Sequence, residues 1–111
     1  MYVIIKTSQD EVDRQGSLFE ACRGHWRIDP ERASKCSHAV VTLLGQKDVK
    51  AVYKMDKWYP STKVKGRHVF AGEADLAEEQ KLVGKILNSK WRAKGLENPI
   101  LYSEEQDLLE V

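Results

Sequence analysis

The stretch HAVVTLLGQKDVKAVYKM, residues 38–55, constrains this chain more than any other. Its first part, HAVVTLL, is a nearly continuous apolar run, rich in valine and too short to stand as a helix. Such a run predicts a central strand buried on both faces. GQKD reads as a turn. VKAVYKM then alternates, with Val49, Ala51, Tyr53 and Met55 interleaved with Lys50, Val52 and Lys54. A period of two predicts a strand with one dry face and one wet face, and the lysines fall toward water. Two strands joined by a tight turn pair antiparallel.

The remaining elements arrange around that hairpin. YVIIK, residues 2–6, predicts a first strand, and TSQDEVDRQG reads as a polar loop. Ser17 followed by Glu20 marks a short helix that Gly24 stops. Asp29 caps a second, with Pro30 at its first position and its end near Cys36. Pro60 and Gly66 bracket a loop, RHVFAGE is a further strand, and ADLAEEQKLV is a helix interrupted by Gly84. KWRAKGLENP predicts a short helix stopped by Gly95 and closed by Asn98 and Pro99. ILYS is the last strand. The expectation is a single α+β domain over residues 1–103, with a frayed or weakly helical acidic tail over 104–111. Hairpin-linked strands predict an antiparallel sheet, and five short ones predict a curled, barrel-like one with a few short helices.

No apolar run is long enough for a membrane helix, and the amino terminus reads as a strand and not as a secretory leader. Cys22 and Cys36 are too few for a disulfide scaffold in 111 residues, so reduced thiols in a cytoplasmic protein are expected. Cys22, His25, Cys36 and His38 have the spacing C-x2-H and C-x-H, which matches no common zinc pattern. No metal and no cofactor are expected. GQKD and KVKGR lack the glycine and lysine pattern of a phosphate cradle.

The net charge of +1 hides an asymmetry. Glu104, Glu105, Asp107 and Glu110 lie in the last eight residues, so residues 1–103 hold 18 basic against 13 acidic side chains, or +5. Lys47, Lys50, Lys54, Lys57, Lys63, Lys65 and Arg67 face only Asp48 and Asp56, and Lys85, Lys90, Arg92 and Lys94 form a second cluster. Segregated cations are the footprint of a phosphate-backbone partner, and equally of solvated strand faces. Within YKMDKWYPSTKVKGR, the rings Trp58 and Tyr59 sit among Lys54, Lys57, Lys63, Lys65 and Arg67. Aromatics on a basic loop stack bases while cations hold phosphates. Arg67 leads, because a guanidinium grips a phosphate or a guanine edge bidentately. Trp58 reads either as a plug in the core or as a stacking ring; Tyr59 is the ring expected outside. Trp26 and Lys85 complete the predicted nucleic-acid site. The acidic tail is expected to be able to fold over this face and mask it.

Catalysis is not predicted. His25, His38 and His68 lie in no catalytic motif and read as structural or exposed. Glu73 and Asp75, with Lys85, offer the groups of a small magnesium-dependent nuclease, but Asp75 ahead of LAEEQ reads more simply as a helix cap. A protein-interaction accessory factor is the other alternative to a nucleic-acid-binding module.

The ordered features Trp26, Ala33, Val40, Val41, Gly45, Val49, Val52, Tyr53, Trp58, GRHVFAG, Gly84, Lys85 and NPILY span residues 24–102. In that order and spacing they resemble a small uncharacterised domain of bacteria and phages, some members of which lie near restriction systems. That pattern has an aromatic where Leu82 stands here. More loosely the chain resembles PUA-like folds, barrel-like readers of modified bases and RNA. The resemblance implies a curled sheet and a base held in an aromatic pocket, and it implies no catalytic residue.

Overall fold

A computed structural model of the protein describes residues 1–91 and 100–110. In chain order the elements are β1 (Tyr2–Thr7), α1 (Gln9–Gln15), α2 (Leu18–Cys22), α3 (Pro30–Ser34), β2 (His38–Leu43), β3 (Ala51–Pro60), β4 (His68–Ala74), α4 (Leu76–Leu82) and β5 (Ile100–Ser103). Short 3-10 turns cover Ser89–Trp91 and Glu105–Asp107. The strands form one five-stranded sheet in the order β4-β3-β2-β1-β5.

The α+β class is as expected, but the sheet is mixed. β1 and β2 run parallel, with Val3 opposite Ala39 and Ile5 opposite Val41, while the other pairs are antiparallel. Parallel neighbours need a long crossover, and residues 8–37, with α1, α2 and α3, supply it. The antiparallel expectation arose from the tight hairpins alone and passed over this connection. The sheet also ends at β4 and β5 without closing into a barrel. Helices and the C-terminal segment cover its two faces instead.

Alternation along the strands builds two cores. Val3, Ile5, Ala39, Val41, Ala51, Tyr53, Met55 and Phe70 face one way and meet Cys22 and Cys36, with Phe19, Trp26 and Ile28 packed against them. Tyr2, Ile4, Val40 and Val52 face the other way and meet Val49, Leu82, Leu87 and Leu108. A strand buried on both faces carries no polar alternation, which is why β1 and β2 read as unbroken apolar runs.

Serine and aspartate caps set the helix starts. Ser17, Asp29 and Asp75 accept backbone N–H groups of Glu20, of Glu31 and Arg32, and of Glu78, as their spacing predicts. Ser8 does the same for Glu11 and starts α1, where a loop was expected. The missed signal was the serine with glutamate three residues on.

β3 runs five residues past the predicted strand end at Met55, to Pro60. A bulge between Met55 and Lys57 lets it do so. The extra residue, Asp56, resets the alternation, so that Trp58 packs on the same core as Met55. Gly72 lies opposite Met55, where a Cβ would run into the Lys54 carbonyl oxygen. β4's outer edge is covered by residues 23–26, which pair with it through Phe70 N–H to the Arg23 carbonyl and a reciprocal pair between Trp26 and His68, each 2.9 Å. That edge is therefore closed to another strand.

The acidic segment does not fray. Leu108 is 1 % exposed within the second core. The Asn88 N–H donates to the Leu108 carbonyl, the Glu110 N–H to the Ile86 carbonyl, and the Trp91 indole to the Asp107 carbonyl at 2.7 Å. Ser89–Trp91 forms a 3-10 turn; the rest of the short helix expected in KWRAKGLENP, with Gly95, Asn98 and Pro99, lies outside the described residues. Among the described residues no helix is long and apolar enough to cross a membrane.

Candidate nucleic-acid interface

The far end of the β3–β4 hairpin carries most of the predicted site. Its loop is held by its own polar groups. Ser61 Oγ accepts the backbone N–H groups of Lys63 and Val64 at 3.1 and 3.0 Å, and the Ser61 N–H donates to the Arg67 carbonyl at 2.8 Å. Gly66 takes the positive φ of 81° that the return needs. His25 Nδ1 lies 2.5 Å from Ser61 Oγ and ties the loop to the segment beside β4. Lys63 and Lys65 project from this frame into solvent.

Consecutive strand residues face opposite ways, so Tyr59 and Trp58 part company. Tyr59 is 41 % exposed, and the Lys57 ammonium lies 4.8 Å from its ring centre. The ring borders an open cleft of about 540 Å³, which Arg23, His25, Thr62 and Lys63 also line. Arg23 is partly neutralised by Glu20, 3.4 Å away. Among the described residues no carboxylate lies within ion-pair distance of Lys57, Lys63, Lys65 or Arg67. Arg67 is half-buried and donates to the His25 carbonyl at 3.4 Å, so it is less free than the sequence implies.

Of the predicted members, Tyr59 and Lys63 line this cleft, while Lys57, Lys65 and Arg67 share the hairpin tip without lining it; the other four stand elsewhere. Trp26 packs on the first core and its indole donates to the Cys22 carbonyl at 2.6 Å. Trp58 meets the edge of Phe70 at 5.4 Å between ring centres, on the opposite face from Tyr59. Lys54 sits on the near side of the bulge, opposite Glu73. Lys85 is bound into the other end of β3, where its carbonyl accepts the Val49 N–H. Val49 and Pro60 are eleven residues apart in the chain, roughly 35 Å of extended strand. Arg23 and His25 join the cleft although the sequence reading gave them no part in it; no local pattern links them to residues 59–63.

The remaining polar clusters serve the fold. Burial pushes the Cys22 thiol up to about 12 and also raises that of Cys36, so neither is a ready thiolate. Both are free, and among the described residues no group of three or more His, Cys, Asp or Glu could hold a metal. Ser37 Oγ, His38 and Asp75 form a chain of contacts at 2.8 and 2.9 Å. The Ser37 N–H donates to the Met1 carbonyl. The role of these contacts is to tie β2 to the cap of α4.

The His38 hydrogen bond, and next the Glu78 backbone N–H, hold the Asp75 carboxyl below its ordinary value of 3.8. A depressed carboxyl contributes stability above its unfolded value and loses it as pH falls through the lower folded value. Below pH 3.8 the wild-type protein should therefore lose stability more steeply than Asp75→Asn, which keeps a capping side chain but cannot titrate. Acid unfolding followed by circular dichroism checks this, and equal slopes contradict it.

No protein family matches the chain, and no curated protein or solved structure matches it either.

Proposed function

We propose that this domain is a non-enzymatic nucleic-acid-binding module that grips a single strand at the tip of the β3–β4 hairpin. The observation that carries the reading is the Tyr59 ring, exposed at an open cleft, with the Lys57 ammonium against it and Lys63 beside it. Tyr59 offers its face to one unstacked base. Lys57, Lys63, Lys65 and Arg67 attract the flanking phosphates, and Arg23 adds a partly neutralised charge. Trp26 and Trp58 hold the wall behind and do not stack. Tyr59→Ala should weaken oligonucleotide binding by about 1–3 kcal/mol, roughly 5- to 150-fold, with no change in fold. Fluorescence anisotropy with a labelled strand measures this; unchanged affinity removes the stacking role.

A second reading, a protein-interaction accessory factor, has one observation in its favour. Leu76 and Val83, at the two ends of α4, are 70 % and 43 % exposed. Such a domain would show little affinity for nucleic acid at any salt concentration; if the first reading holds instead, Leu76→Glu leaves strand binding intact. Asp75, one of the two acids of the nuclease reading, caps α4 and contacts His38.

A further inference from the structure

Two buried side-chain nitrogens have no hydrogen-bond partner among the described residues: Trp58 Nε1 and His68 Nδ1. Trp58 pairs with Phe70 and His68 with Pro60, so the two rings are diagonal neighbours on one face of β3 and β4. Both line one cavity of about 300 Å³ on the side away from Tyr59, walled by Ile28, Pro30, Cys36 and Met55. Asp56, the bulged residue, and Lys57 border it. Buried polar groups are nearly always satisfied, so two orphans at one cavity call for a single explanation.

We propose that this cavity binds a planar nitrogen heterocycle through an edge that carries a hydrogen-bond acceptor beside a donor. The indole N–H can only donate. With its proton on Nε2, His68 accepts at Nδ1. The complementary edge is an acceptor next to a donor, as in a lactam or an amino-substituted ring amidine. The apolar walls cover the ring faces, and the volume is at the small end for a ligand pocket. Neither nitrogen is open to solvent in this structure, so the side chains lining the cavity must shift before a ring reaches them. A free heterocycle and an unstacked base of a bound strand share this chemistry. The site needs neither Tyr59 nor the loop cations, so it stands or falls apart from the strand-binding reading.

The test follows the indole N–H signals of the full chain by proton–nitrogen NMR, with Trp58→Phe assigning one of them. Phenylalanine keeps a ring against Phe70 and removes only the donor. The probes are uridine and adenosine, their N3-methyl and N6,N6-dimethyl forms, which lack the edge donor, and a short oligouridylate. We expect uridine or adenosine to shift the Trp58 signal downfield and saturably, and to slow modification of Cys36 by a small thiol reagent. The methylated probe should weaken both effects roughly tenfold, and Trp58→Phe should weaken the protection of Cys36 to the same extent, as when a buried polar group loses its partner. A shift with oligouridylate as well assigns the ligand to a strand; a shift with nucleosides alone assigns it to a free small molecule. A Trp58 signal unmoved by every probe up to about 10 mM, or moved equally by the methylated ones, overturns the proposal and leaves a bridging water as the partner. If oligonucleotides still bind in that case, only this site falls.

Discussion

Phe70→Ala should destabilise the domain by about 3–5 kcal/mol, the usual cost of emptying a buried aromatic site. Phe70 is fully buried and is the ring on which the others converge. Phe19 lies 5.9 Å away edge-on, Trp58 5.4 Å away, and Tyr53 6.4 Å away. Removing it takes one of two ring contacts from Phe19 of α2, which keeps Tyr53 at 5.0 Å, and leaves Trp58 without its edge-on partner. Against a total stability of roughly 5–15 kcal/mol this is a large fraction. Each kcal/mol lost lowers the melting midpoint by roughly 4–8 °C in a domain near this size. Urea unfolding of both proteins measures the difference; a loss under about 1 kcal/mol would mean that the ring cluster is not the centre of the first core.

Leu108→Ala should cost about 2–5 kcal/mol, and deletion of residues 104–111 more. Leu108 is 1 % exposed and packs with Ile4, Val40, Val52 and Leu87. The segment around it also takes hydrogen bonds from Asn88 and Trp91 and bridges Leu87 through Leu109. Its acidic character is at the surface: the Asp107 carboxylate lies 3.4 Å from the Lys90 ammonium, not over the 57–67 loop. Masking of the basic loop therefore gains no support, and truncation would report on folding before it reported on binding. Thermal unfolding of both variants checks this. Full stability after deletion would contradict the docked segment.

What was legible in the sequence was local. Cap serines and aspartates, the apolar runs of β1 and β2 and the lysines of β3 are each written within a few residues. The errors came where distant segments decide. The parallel pairing of β1 with β2 depends on a 30-residue crossover over 8–37 that hairpin signals do not register. The bulge at Asp56 breaks a period of two, so Trp58 and Tyr59 could not be assigned to faces by counting. Leu108 and Leu109 looked like the end of a charged tail, because they gain meaning only against Leu87 and Ile4. In the candidate site, Lys57, Tyr59 and Lys63 were readable as a cluster. Lys85 was placed there by charge alone, and His25 was read as structural or exposed, because its partner, Ser61, is 36 positions away.

The most direct measurement is the salt dependence of oligonucleotide affinity. If Lys57, Lys63, Lys65 and Arg67 each neutralise one phosphate of a single strand, log K should fall linearly with log salt at a slope of about −3. The double variant Lys63→Ala/Lys65→Ala should flatten that slope to about −1.4. No binding at low salt, or an affinity that salt leaves unchanged, would contradict a polyanion grip at the tip of the β3–β4 hairpin.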